Sequence, residues 1–172
     1  KNNGSLTVGS AGATDGVTAS GDITIEAAGA TADLTLDKPV TTTGGTIVAA
    51  AGRNFINANA TDTGLVADGG RYLVYSADPA HSTEGMTGYG KHYDQGYVAG
   101  DTPAYAASGN WFLYSIAPVL SVAPGAQTIT YGDAAPDFTP SYSSGFIDGD
   151  AADSAGISGS ATFSIGGASS GA

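Results

Sequence analysis

The sequence repeats itself within its first fifty residues, and this repetition limits the possible folds more than any other feature. Two segments, GSLTVGSAG at 4–12 and GDITIEAAG at 21–29, share the frame Gly-x-(Leu/Ile)-Thr-(Val/Ile)-x-x-Ala-Gly. A third copy, GGTIVAAAG, occupies 44–52, and longer matching segments begin at Val17 and at Val40. Each run of aliphatic and β-branched residues ends in glycine, which predicts a short strand followed by a turn.

Two or three such strands in each period of about 20 residues predict a right-handed parallel β-helix, in which coils stack at roughly 4.8 Å. The stacking predicts two columns of core side chains, with Val8, Ile25 and Val48 in one and Leu6, Ile23 and Thr46 in the other. An antiparallel sandwich is the alternative, because periodicity alone does not exclude it. Hairpins favour two-residue Asn-Gly or Asp-Gly turns between strands, and Asp15-Gly16 is the only good candidate between the strands of these repeats, so the β-helix is preferred.

Two similar segments, RYLVYSADP at 71–79 and WFLYSIAP at 111–118, flank a polar insert at 77–110 that is rich in glycine and tyrosine. Alternation puts bulky side chains on both faces of each predicted strand, as expected of strands that are covered on two sides. About thirty residues of loop is unusual unless the loop is functional or has its own packing. We therefore expect the two strands to be neighbours at one end of the β-helix, with the insert folded over that end as a cap.

Aromatic residues are concentrated in this region. Residues 1–54 contain none, whereas nine of the fifteen in the chain lie between Tyr72 and Tyr114. Flat apolar rings with polar edges suit saccharide rings, so the insert is a candidate glycan-binding surface. Buried cap aromatics are the commoner outcome, since large rings mostly serve as core. The candidates for glycan binding or for the cap are Tyr89, Tyr93, Tyr97, Tyr105, Trp111, His92 and Asp94.

The charge distribution disfavours nucleic acids and anionic membranes as partners. The formal net charge is −11, and no Lys or Arg follows Lys91, so a phosphate backbone would meet no positive charge beyond that point. No apolar run approaches the roughly 20 residues that span a bilayer, so we expect no membrane insertion.

Catalysis and metal binding have weak support in the sequence. The absence of cysteine excludes thiolate metal sites and thiol nucleophiles. A zinc site could be drawn from His81, Glu84, His92 and Asp94, but neither His–carboxylate spacing matches a helical zinc motif. We predict no catalytic residues, no enzyme activity, no cofactor and no resident metal. Calcium at Asp148, Asp150 and Asp153 is a minor alternative to ordinary turn residues, because the calcium-loop pattern is absent.

A different module is expected after Pro118. Strands are predicted at 128–131 and 161–165, proline and glycine interrupt the chain between them, and the tail GGASSGA has the composition of a flexible linker. We therefore divide the chain into a β-helix at 1–118 and a small partial β-module with a flexible tail at 119–172.

Two stretches resemble known families. GRYLVYS from Gly70, the insert and NWFLYS from Asn110 resemble the distal, C-terminal end of the β-helix in filamentous haemagglutinin-like exoproteins of Gram-negative two-partner secretion. ITYGDAAPDFTPSYSSGFIDGDAADSAGISGSATFSI from Ile129 resembles the mostly-β, glycine-rich "MBG" modules of such adhesins, without their later strands.

The resemblance implies a secreted or surface-attached bacterial adhesin that acts in attachment to cells, matrix or biofilm and in virulence. Its implied partners are an extracellular glycan or a host or matrix surface, and an outer-membrane transporter during secretion of the parent protein. It assigns no binding residue to this chain, because fold-level analogy does not fix function. The alternatives are a purely structural junction between stalk and tip, and a fragment of a carbohydrate-active enzyme.

Overall fold

A computed structural model describes residues 1–128, 130, 132, 134, 136–151, 161 and 163. The chain divides into two compact units, Lys1–Ala117 and Pro118–Ala172. The described residues form fifteen strands and two short 3-10 helices, Pro79–His81 and Ala104–Ala106, and they contain no α-helix. The strands predicted at 128–131 and 161–165 lie partly outside the described residues, and Asp153 and the predicted tail lie wholly outside them.

Thirteen short strands make up the first unit. In chain order they are β1 (Leu6–Val8), β2 (Ser10–Ala11), β3 (Thr14–Asp15), β4 (Val17–Ala19), β5 (Ile23–Ala27), β6 (Leu34–Leu36), β7 (Val40–Thr42), β8 (Thr46–Ala51), β9 (Phe55–Asn57), β10 (Leu65–Ala67), β11 (Arg71–Ser76), β12 (Tyr89–His92) and β13 (Asn110–Tyr114).

Eleven of these strands stack into three sheets in which every pairing is parallel. The first face has the order β1-β6-β9, the second has β4-β7-β10, and the third has β5-β8-β11-β13-β12. The first three coils each contribute one strand to each face, and β13 and β12 extend the third face alone, which makes a β-solenoid of about four turns. The predicted all-β, parallel β-helix is therefore confirmed. The antiparallel alternative is wrong for these sheets, and the small β2–β3 hairpin is the antiparallel pair of this unit.

The predicted core columns are wrong, and the first reason is that the first two repeat copies do not stack on each other. Leu6 and Val8 pair with Leu34 and Leu36 on the first face, whereas Ile23–Ala27 belongs to the third face. The shared glycine frame therefore marks strands on different faces of one coil.

The second reason is one extra residue between two faces of the second coil. Val17 pairs with Val40 on the second face, and Ile23 pairs with Ile47 on the third. The number of residues between paired positions is therefore greater by one on the third face than on the second. Because side chains alternate across a strand, a shift of one residue reverses which of them face the core. Ile47 is fully buried, and Val48, which was predicted in the core, is only partly buried and packs on the outer side of the sheet.

The solenoid interior is filled by apolar side chains from all three faces. Its largest fully buried members are Tyr114, Phe55, Phe112, Leu34, Leu36, Ile47, Val40 and Val74. The rings of Phe55 and Phe112 meet edge to face with their centroids 5.6 Å apart, so aromatic packing joins the first and third faces.

Three stacked glycines form the corner that precedes the third face, and we call Gly21, Gly45 and Gly70 the corner glycine column. A Cβ atom on Gly70 would lie 1.9 Å from the carbonyl oxygen of Gly45, and one on Gly45 would lie 2.3 Å from the carbonyl carbon of Gly21. The φ angles of these three residues are outside the left-handed region. Positions 45 and 70 therefore require glycine, because each coil approaches the preceding one closely there.

The third face ends with its strands out of chain order. β13 pairs with β11 on one side and with β12 on the other, so the later strand lies between two earlier ones. The expectation that the two similar segments are neighbours is confirmed, with Leu73 opposite Trp111 and Tyr75 opposite Leu113. The strands have bulky residues on both sides because Leu73, Tyr75 and Leu113 are buried on the outer side of the sheet.

Burial withdraws two tyrosine hydroxyls of β11 from water and raises the pKa of Tyr72 and of Tyr75 to about 12. Tyrosine in an unfolded chain ionises near pH 10. Above about pH 10 the unfolded state loses protons that the folded state keeps, so stability that is fully present below pH 10 falls towards pH 12. We expect a loss of about 1.4 kcal/mol per pH unit for each tyrosine.

This alkaline loss can be measured by urea unfolding at several pH values between about 9 and 11, followed by circular dichroism. The Tyr72→Phe and Tyr75→Phe variants should each show a smaller slope of stability against pH, and the double variant the smallest. A double variant with the wild-type slope would contradict the prediction.

The second unit contains an antiparallel pair, β14 (Ser121–Pro124) and β15 (Pro140–Ser144). Pro124 lies opposite Pro140 at one end of the pair, where the absence of an N–H donor is tolerated. The rings of Phe138 and Phe163 also meet edge to face in this unit, with centroids 6.3 Å apart.

Candidate functional site

The insert at 77–110 divides into two parts that cover different surfaces of the solenoid. Met86, Tyr89 and Tyr93 pack against the interior core at the end of the stack. Tyr97 and Ala106 instead pack on the outer side of the third sheet. The expectation that the insert folds over the solenoid end is therefore correct for its first part only. The second part covers the outer side because that side carries large apolar residues of β11 and β13.

A carboxylate organises the first part, which we call the end cap and define as Glu84, Met86, Tyr89, Lys91 and Tyr93. Glu84 accepts hydrogen bonds from the hydroxyls of Tyr89 and Tyr114, and its Oε1 lies 3.1 Å from the Nζ atom of Lys91. The Tyr89 ring packs on Phe112 with centroids 4.6 Å apart. The sequence pattern indicates Glu84 only as a possible zinc ligand, because the residues that Glu84 contacts come from separate segments of the chain.

Alternation along Tyr89–Tyr93 decides which side chains enter the end cap. Tyr89, Lys91 and Tyr93 face the solenoid end, and the Tyr93 ring stacks on Tyr114 at 5.9 Å. His92 lies on the opposite side and is exposed. This period of two, visible in the sequence YGKHY, is the signal that could have separated the two sets of aromatics.

Asp94 turns the chain from the end cap to the outer side. It has a φ of 58°, and its N–H donates to the carbonyl oxygen of Ile116 at 2.8 Å. Aspartate adopts this left-handed backbone more readily than most residues, so a turn accounts for its position.

Three rings on the outer side form an aromatic patch, which we define as His92, Tyr105 and Trp111. The His92 and Tyr105 rings are stacked, with centroids 4.0 Å apart and planes inclined by 10°. The Tyr105 ring meets Trp111 edge to face at 5.6 Å, and its hydroxyl donates to the Oε1 atom of Gln95 at 2.9 Å. Tyr105 is 38% exposed, so the patch presents an aromatic surface with polar edges to solvent.

The Trp111 ring is held in a fixed orientation. Its Nε1–H donates to the carbonyl oxygen of Ser108 at 2.8 Å. The ring lies over Gly90, where a Cβ atom would come within 2.6 Å of it. Contacts on two sides therefore fix the orientation of the ring.

Tyr97 lies apart from the aromatic patch. Its ring meets Tyr75 edge to face at 5.1 Å, and burial raises the pKa of Tyr97. It lines a groove of about 270 Å³ together with Glu26, Ala50 and Ser115. Tyr97 therefore covers the sheet and borders a groove, without joining the rings of the patch.

The residues considered for zinc and calcium occupy other roles. His81 Nδ1 lies 3.3 Å from an oxygen of Asp78, and Glu84 belongs to the end cap. Asp148 has a φ of 56° in a turn that is closed by a bond from the Asp150 N–H to the Ile147 carbonyl oxygen at 3.1 Å. Within the described part of the chain, no three His, Asp or Glu residues are grouped so that they could hold a metal ion.

Comparison with protein-family models, with curated proteins and with solved structures found no match. The solenoid agrees with the β-helix that the resemblance to haemagglutinin-like exoproteins implies, at the level of fold alone. Over the residues that the structure describes, no helix has the length and apolar character that crossing a bilayer requires.

Proposed function

We propose that this chain is a non-enzymatic segment of a large bacterial adhesin, held at the cell surface or secreted, and that its aromatic patch binds glycan. In this proposal the solenoid is a rigid rod, and an outer-membrane transporter exports the parent protein. Two observations support the adhesin assignment. The segments that flank the insert resemble those of haemagglutinin-like exoproteins, and the fold is a parallel β-solenoid.

The geometry of the aromatic patch is the observation that carries the glycan proposal. Sugar rings have apolar C–H faces and polar edges, and they suit a surface that combines ring faces with hydrogen-bonding groups. Tyr105 and Trp111 supply ring surface, while His92 and Gln95 supply polar atoms at its border. Trp111 lies on a strand of the solenoid and not on a free loop, which favours a preorganised site.

The second candidate function is a structural junction without a ligand. The hydroxyl of Tyr89 bonds to Glu84, the ring of Tyr93 stacks on Tyr114, and the ring of Tyr97 packs on Tyr75. These three tyrosines therefore serve packing. The two functions differ in what they require of Tyr105 and Trp111, and the same experiment separates them.

A glycan array probed with the folded wild-type chain tests the proposal. We expect Tyr105→Ala and Trp111→Ala each to weaken binding to any glycan found by about tenfold or more, since aromatic anchors dominate such interfaces. Tyr142→Ala, a partly buried tyrosine of the second unit, is the matched control and should bind like wild type. Circular dichroism of each variant checks its folding.

Two results would contradict glycan binding at the patch. One is a folded wild-type protein that binds no glycan on the array, which would favour the structural junction. The other is a Tyr105→Ala variant that keeps full affinity, which would place any glycan site elsewhere on the molecule.

A further inference from the structure

Arg71 differs from the other basic residues of this acidic protein. The chain has five Lys and Arg residues, and the structure describes all of them. Four form ion pairs, with N···O distances of 2.5–3.1 Å, namely Lys1–Glu26, Lys38–Asp15, Arg53–Asp33 and Lys91–Glu84. Arg71 has no acidic partner in the described part of the chain, although acidic residues outnumber basic ones by 16 to 5.

The Arg71 side chain is also partly withdrawn from water. Its Nε atom is buried and has no hydrogen-bond acceptor among the described residues. A buried donor without a partner destabilises a fold, so a half-buried guanidinium that lacks a counter-ion calls for an explanation. Because Nε is buried, the terminal Nη groups are the part of the guanidinium that a ligand can meet.

Arg71 lines an open groove of about 400 Å³ at the start of the third-face strands, and we call this the Arg71 groove. Strand pairing places Arg71 beside Thr46, whose N–H donates to Asp22 Oδ1 at 2.7 Å. Arg71 begins β11 and Asp22 directly precedes β5, so β8 separates them, and among the described residues no ion pair joins them. The groove has a cation on one side and a hydrogen-bond acceptor on the other.

Glycines keep the Arg71 groove open. Gly45 and Gly70 of the corner glycine column line it, and neither can carry a side chain without a backbone clash. Ser108 also lines the groove, and its carbonyl oxygen accepts the Trp111 Nε1–H. The groove therefore adjoins the aromatic patch through Ser108.

We propose that the Arg71 groove binds the carboxylate of an acidic sugar while the adjoining aromatic patch holds the sugar ring. This inference rests on the proposed function and names the class of glycan, a carboxylated sugar. The planar guanidinium forms paired hydrogen bonds with a carboxylate, and partial desolvation strengthens them. The Asp22 carboxylate accepts hydrogen bonds from sugar hydroxyls.

The charge of the molecule selects an isolated carboxylate over a dense polyanion. A net charge of −11, with Asp22 in the groove itself, repels a chain of closely spaced sulfates or phosphates. One monoanionic group placed against Arg71 meets the opposite charge, and the rest of its sugar is neutral. Glucuronic acid and sialic acids share this chemistry.

Nitrogen-15 NMR can read the site directly, because the chain has only two arginines, Arg53 and Arg71. The Arg53 Nε–H donates to Asp33 at 2.8 Å, so its signal is an internal control. The probes are the methyl glycosides of glucuronic acid and of N-acetylneuraminic acid, each beside its uncharged methyl ester. We expect the acids to shift the Arg71 Nε–H signal to saturation, the esters to bind about tenfold more weakly, and the Arg53 signal to stay in place.

Variants complete the test. Arg71→Gln should abolish the preference for acid over ester, and Arg71→Lys should restore only part of it, since an ammonium lacks the planar fork. Asp22→Asn should strengthen binding of the acids by removing a nearby negative charge. The two acidic sugars are compared in parallel, and whichever binds more tightly identifies the source of the carboxylate.

Three results would overturn the inference. The wild-type protein could bind the acids and the esters with nearly equal affinity, or Arg71→Gln could leave the ratio of these affinities unchanged. Sulfate could also shift the Arg71 Nε–H signal more than either acid does. Failure of the inference is distinguishable from that of the proposed function. If neutral glycans bind and Trp111→Ala removes that binding while the acids have no advantage, the aromatic patch stands and the Arg71 groove does not.

Discussion

Phe112→Ala is expected to lower the free energy of unfolding of the first unit by about 3–5 kcal/mol. Phe112 is fully buried in β13, and its ring contacts aromatic residues both within its own strand and on three other strands. The centroid distances are 5.6 Å to Phe55, 6.3 Å to Tyr72, 4.6 Å to Tyr89 and 6.2 Å to Tyr114. Truncation removes these contacts and leaves a cavity that fixed β-coils cannot close.

Urea unfolding of the full chain, followed by fluorescence, measures this effect. Trp111 is the only tryptophan of the chain and is the neighbour of Phe112 in sequence, so its emission reports on this coil. Tyr105→Ala is the matched control, because it removes a 38% exposed ring from the same region and should change stability by less than about 1 kcal/mol. Equal losses in the two variants would mean that Phe112 does not anchor the terminal coil.

Gly70→Ala is expected to destabilise the solenoid by about 3 kcal/mol or more, or to prevent folding. The new methyl group would lie 1.9 Å from the Gly45 carbonyl oxygen, which is a backbone atom, and the position of the methyl is itself fixed by the backbone of residue 70. No side-chain rotation can relieve it, so the coils must separate at this corner and lose hydrogen bonds of the third sheet.

The corner glycine column contains its own control. Gly21 occupies the same place in the first coil, but a Cβ atom there meets nothing within 4 Å. Gly21→Ala should therefore be neutral, or stabilise by up to about 1 kcal/mol, because alanine restricts the unfolded chain. Gly45→Ala, with a backbone contact at 2.3 Å, should resemble Gly70→Ala. Thermal unfolding of the three variants tests this order, and similar melting temperatures for Gly21→Ala and Gly70→Ala would refute it.

The stacking of parallel coils could be predicted because short β-branched runs that end in glycine recur at nearly constant spacing. The face that each strand occupies could not, since the same pattern suits all three faces of a coil. Leu6–Val8 and Ile23–Ala27 look alike for this reason, although they belong to different sheets. One added residue before Ile47 then reverses inside and outside, an effect that sequence similarity does not detect.

Only part of the candidate site could be predicted from the sequence. The concentration of aromatics identified the region, and the alternation in Tyr89–Tyr93 contained the information that separates the end cap from the outer side. The sequence does not distinguish Arg71 from the other basic residues. Its lack of an acidic partner depends on which acidic residues the fold brings near each basic one. Its neighbours in the groove come from corners of successive coils, far apart in the chain.

The strand order at the end of the third face also has a consequence for the timing of folding. A chain that emerges with its N-terminus first can add each coil to the one already formed. β12 is an exception, because its partner β13 lies between it and β11 in the sheet but follows it in the chain. The last coil must therefore wait for Asn110–Tyr114, because β12 cannot join the third sheet until β13 has paired with β11.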